Sequence, residues 1–104
     1  MIRATTPSFR YRLPNAAENY SEFLVTMSQH NSILVSRRKS GLTIDGNTIQ
    51  WTLSQQEANQ FEAGKLAQVQ LRAVLAGGTV VATPITNVLV NPALDDSILG
   101  GGAT

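Results

Sequence analysis

Cysteine is absent from this 104-residue chain. No disulfide holds it together, and no thiolate is available as a nucleophile or zinc ligand. The same absence suits a protein that matures in a reducing cytosol. Histidine occurs once, as His30. Zinc sites take about three protein ligands when catalytic and four when structural, which one histidine and scattered carboxylates do not supply. Charge is scarce too: Asp, Glu, Lys and Arg make up 14% of the chain, against about 25% in ordinary globular proteins. A net charge of +1 creates no field that would gather nucleic acid or anionic lipid. Long apolar runs are missing as well. The stretch 69–90 is interrupted by Gly77-Gly78 and several threonines and cannot span a bilayer. The opening MIRATTPSFRYRLP has no apolar core of signal-peptide length. These absences lead us to expect a soluble chain without a signal peptide and without nucleic-acid or membrane partners.

What is present is enough for one core. The hydrophobic fraction is 42%, and the length sits near the ~100–150-residue mode of a single domain. With so little charge, much of the surface falls to Ser, Thr, Asn and Gln, and a neutral surface is weakly protected against self-association. The patterning is that of strands. Phe9, Tyr11 and Leu13 alternate with polar neighbours until Pro14, and residues 14–19 read as a loop that leaves Tyr20 outside the core. Phe23, Val25 and Met27 alternate in the same way, a turn follows over residues 29–32, and Ile33, Leu34 and Val35 start a strand that runs into Arg37-Arg38-Lys39.

Residues 42–61, LTIDGNTIQWTLSQQEANQF, hold a hairpin and a capped helix in sequence. Leu42 and Ile44 alternate before Asp45-Gly46-Asn47, whose residues tolerate positive φ, and Ile49, Trp51 and Leu53 alternate after it. Ser54 stands three residues before Glu57, the spacing of a capping box. A helix of about two turns is expected over 54–63, closed by Gly64 as its left-handed terminator. Residues 65–76 and 79–90 read as two long strands joined at Gly77-Gly78. Pro84 cannot donate to a ladder, so the second of these is an edge there, or bulged. About seven short strands with frequent turn signals predict an all-β, immunoglobulin-like antiparallel β-sandwich with one short helix. Its single domain covers residues 1–99, and residues 100–104, GGGAT, form a flexible tail.

No catalytic constellation emerges. Asp45 has a turn role, Glu57 a capping role, and the one adjacent acidic pair, Asp95-Asp96, lies in a terminal segment that would hold acid/base geometry poorly. No G-x-S-x-G elbow is present, and Gly77-Gly78 lacks the G-K-[ST] of a phosphate loop. His30 reads as a solvated turn residue. The expectation is a non-enzyme without cofactor or metal. Arg37-Arg38-Lys39 admits two readings, a docking edge for a partner or charges that guard a strand end against wrong pairing. Trp51, in register with Ile49 and Leu53, reads as core rather than as a sugar platform. Gln68, Gln70 and Arg72, with Asn87, form a polar face suited to a neighbouring subunit or to glycans.

As a whole the chain resembles small β-sandwich proteins of phages and prophages of Gram-positive bacteria, including the N-terminal domain of upper baseplate proteins. The features that carry the resemblance are the opening IRATTPSFRYRLP, the run FLVTMSQH before a basic strand, and IDGNTIQWTLSQQEA leading into the helix. VQLRAVLAGGTVVATPITNVLV followed by LDDSIL completes the order. The resemblance implies a virion structural protein of the tail, baseplate or particle surface, made in the bacterial cytoplasm, with other virion proteins and its own copies as partners. Arg37, Arg38, Ile98 and Leu99 are the expected partner-binding residues, acting by edge-strand pairing or insertion of a terminal arm. The alternative is a module that binds host cell-surface glycans through the polar strand faces and Tyr20.

Overall fold

The computed structural model describes residues 1–100, so most of the expected flexible tail lies outside the described residues. Strands β1 (Ser8–Arg12), β2 (Tyr20–Gln29), β3 (Ser32–Arg38), β4 (Thr43–Asp45) and β5 (Thr48–Thr52) precede α1 (Gln55–Ala58), the one α-helical turn among the described residues. Strands β6 (Leu66–Leu75), β7 (Val80–Ala82) and β8 (Thr86–Leu89) follow it. They form two antiparallel sheets, one ordered β1-β5-β4 and the other β3-β2-β6, with β7 and β8 sharing the far side of β6. The architecture is an all-β sandwich. Phe23, Val25 and Met27 of β2, Ala67, Leu71 and Ala73 of β6, and Ile49 and Trp51 of β5 meet in one core, joined by Leu53 just after β5. Period-2 alternation is what places these side chains on facing surfaces.

The turns follow their chemistry. His30 and Asn31 both adopt positive φ, 53° and 63°, between the paired Gln29 and Ser32, the backbone that a two-residue hairpin needs. In the β4–β5 hairpin the positive φ falls on Gly46, flanked by the Asp45–Thr48 pair. The loop after β1 is tied to the β4–β5 turn and buries Ala17, while its other residues, 14–16 and 18–19, stay exposed. The Ala17 amide donates to the Gly46 carbonyl at 3.1 Å and the Leu13 amide to that of Asn47 at 2.6 Å.

Three expectations change. Tyr20 is the first residue of β2, 4% exposed and tilted against Phe23 with ring centroids 5.3 Å apart. Pairing with Leu75 on β6 and packing in the core remove it from any exposed platform. The helix is one turn long, because after Ala58 the chain tightens to i→i−3 bonds from Gln60 to Glu57 and from Phe61 to Ala58. Gly64 takes the expected positive φ of 80°, yet its amide donates to the Val90 carbonyl at 2.8 Å. It therefore ties the chain to the last strand instead of closing the helix. Finally, Pro84 divides the return strand into β7 and β8. Thr83 repairs the ladder at the break: its amide donates to Leu71 O at 2.9 Å, and its hydroxyl accepts from the Leu71 amide at 3.1 Å.

Candidate interaction surface

Arg37 and Arg38 diverge, as alternation along β3 requires. Arg37 reaches α1. Its guanidinium lies 2.5 Å from the Glu57 carboxylate and 3.4 Å from the Thr52 carbonyl. Glu57 is at the same time the acceptor of the Ser54 backbone amide at 2.9 Å, while the Ser54 hydroxyl accepts from the Glu57 amide at 3.1 Å. The capping box expected from the sequence is thus formed and also pinned to the opposite sheet. The Arg37 guanidinium, helped by the Ser54 amide, holds the Glu57 carboxyl below the usual carboxylate range, and Glu57 in turn raises Arg37. So occupied, Arg37 is a structural tie. Arg38 is exposed and pairs loosely with Glu22 on β2 at 3.5 Å, so it is available at the rim.

Ile98 and Leu99 sit on an arm that leaves the core at Val90 and returns past α1. The Gln55 side-chain amide grips Leu99 by both backbone groups, accepting from its N–H at 2.8 Å and donating to its C=O at 2.6 Å. Asn59 donates to the Asp96 carbonyl at 3.0 Å, and Arg3 pairs with the Asp96 carboxylate at 3.1 Å. Ile98 is half-buried, whereas Leu99 is 72% exposed and Leu94 projects wholly into solvent. Asp95 accepts from the Ser97 hydroxyl and amide, which holds its carboxyl below its ordinary value. Arg3 Nε and Asn59 Oδ1 are nevertheless buried without partners. The arm is therefore latched mainly by polar contacts, and incompletely.

The far margin of the large sheet is the main feature that sequence reasoning missed. Leu66, Val80, Val81, Ile85 and Leu89 are all exposed there, beside the outward pair Gln68–Asn87. The signal was present in TVVATPITNVLV, whose apolar residues occupy both faces instead of one. Between this margin and β1 the sandwich is open. A cavity of about 200 Å³ is lined by Tyr11, Leu13, Tyr20, Leu71, Leu75 and Val81 among others. A second of about 140 Å³, lined by Phe9, Trp51, Val69, Thr86 and Val88, shares Tyr11, Leu71 and Thr83 with the first. Together they form an apolar seam. Arg10 is its one charged lining residue, among the described residues. Trp51 stacks on Phe9 with centroids 5.7 Å apart, and its indole Nε1 is buried without an acceptor among the described residues.

His30 stays at its exposed turn, with Nε2 2.6 Å from the Glu62 carboxylate. Among the described residues no three of His, Asp and Glu gather in a metal-holding group, and no helix is long and apolar enough to cross a membrane. No protein-family model, curated protein or solved structure matches the chain.

Proposed function

We propose that the protein is a non-enzymatic structural component of a phage or prophage-derived particle, in the tail, the baseplate or as a surface decoration, and that it works by protein–protein assembly. The observation that carries this reading is the far margin of the large sheet, where five large apolar side chains, Leu66, Val80, Val81, Ile85 and Leu89, stand exposed on or beside edge strands. An uncovered apolar edge is an aggregation hazard for a lone monomer and a docking surface for a subunit. The low charge of the chain, 14%, points the same way, and so does the motif order that resembles Gram-positive phage sandwich proteins. Partners are then other virion proteins and further copies of this chain, with Arg38 at the rim and Ile98 and Leu99 on the arm as contact residues. The chain would be made in the bacterial cytoplasm and end in the virion. Gradient-purified particles from an induced host, probed with an antibody to the protein, test this: co-sedimentation with particles in stoichiometric amount is expected. Recovery only in the soluble fraction would contradict it.

A further inference from the structure

The seam between β1 and the β7–β8 margin has the dimensions and chemistry of a receptor for one extended peptide segment. Along β6 it runs from Leu75 to Val69, seven residues whose Cα atoms span roughly 20 Å at about 3.3 Å per step. Just past the end of β8 the chain forms an isolated parallel bridge, Ile2 to Asn91. There Met1 N donates to Leu89 O at 3.0 Å. Asn91 N to Met1 O at 2.7 Å and Arg3 N to Asn91 O at 3.0 Å complete that pairing. Above that point no described segment continues the pairing. Trp51 lines the seam and stacks on Phe9, so its indole is placed to report an occupant.

We propose that the occupant is the arm of a second copy of this chain, residues 94–99. Taking a second copy as the partner rests on the assembly reading above. The segment LDDSIL has six residues, one fewer than the seam is long, with apolar ends around an acidic pair. The charge is compatible: no carboxylate lines the seam, and Arg10 on its rim, with Nε donating to Gln50 Oε1 at 3.2 Å, has no carboxylate partner among the described residues. Release from its own α1 costs little, because the latch is mostly hydrogen bonds that water replaces and it leaves Arg3 Nε and Asn59 Oδ1 unsatisfied. Insertion would cover Leu94 and Leu99, which the latch leaves in solvent. Such an exchange of one element between protomers is an inexpensive route to oligomers.

The test titrates the full chain with the synthetic peptide NPALDDSIL and reads emission from Trp51, its single tryptophan. A saturable change is expected in the wild type, weakened about tenfold or more in Val81→Arg; that side chain is 41% exposed, so circular dichroism should be unchanged. No saturable change in the wild type, or equal affinity in V81R, overturns the proposal. A second arm mixes Val81→Arg, whose arm is intact, with the double variant Leu94→Asp, Leu99→Asp, whose seam is intact. A one-to-one complex from two monomers supports arm exchange. Wild-type oligomers that persist in both variants overturn the contact and leave the assembly reading to another surface. Absence of the protein from particles would remove the virion role without touching peptide binding.

Discussion

Glu57 illustrates how much one side chain can join in a small sandwich. Its carboxylate accepts from the Ser54 amide, which closes the cap, and from Arg37, which ties that cap to β3. The half of this arrangement between Ser54 and Glu57 was legible, because a capping box is a spacing rule. The half involving Arg37 was not, since the two residues lie 20 positions apart in the chain and only the sheet packing brings them together. Ser54→Ala should therefore lower stability by about 1 kcal/mol, the usual cost of a lost N-cap, measured by urea unfolding. Glu57→Gln should cost more than a surface ion pair, about 1–2 kcal/mol, because it leaves a half-buried guanidinium without its anion. The pH dependence has a definite sign. The Glu57 pKa is lowered in the folded state from 4.5, so its contribution is full above that value and is lost as pH falls through the folded pKa. The stability gap between wild type and E57Q should accordingly narrow below pH ~4; a gap that widens on acidification would contradict the pairing.

Strands were the most readable elements, because each inward set, such as Phe23, Val25 and Met27 or Ile49, Trp51 and Leu53, repeats with period 2 and ends at a turn residue. Elements whose fate depends on distant backbone were less so. The helix stops after one turn since Phe61 must enter the core, and Gly64 turns toward Val90 because the last strand lies beside it. Tyr20 was misplaced for the same reason: it begins β2 by pairing with Leu75, 55 positions on in β6. At Pro84 the break itself was legible, but not its repair. Thr83→Val keeps the shape while removing the acceptor for the Leu71 amide, and should cost about 1–3 kcal/mol. Hydrogen exchange at Leu71 should quicken in that variant. Unchanged protection there would show that the hydroxyl contributes nothing to the ladder.

The molecule as a whole is less compact than its length requires. Its Cα radius of gyration is 14.8 Å, against about 13 Å for a compact 100-residue domain, and its extents of 47 × 29 × 18 Å describe a long, thin plate. A plate of this kind offers margins and terminal segments rather than a deep pocket, and its largest exposed apolar residues, including Leu94 and Leu99, lie on those parts. Composition had already pointed to a surface poor in charge, but which margin stays open depends on how β7 and β8 share β6, and that pairing is not written in any local motif. Self-association through that margin is the outcome we propose. Light scattering on the full chain over a wide concentration series tests it most directly. A discrete oligomer that grows in with concentration, and that Val81→Arg returns to monomer, is the result expected of a subunit docked through its open margin. A monomer at every concentration would contradict it.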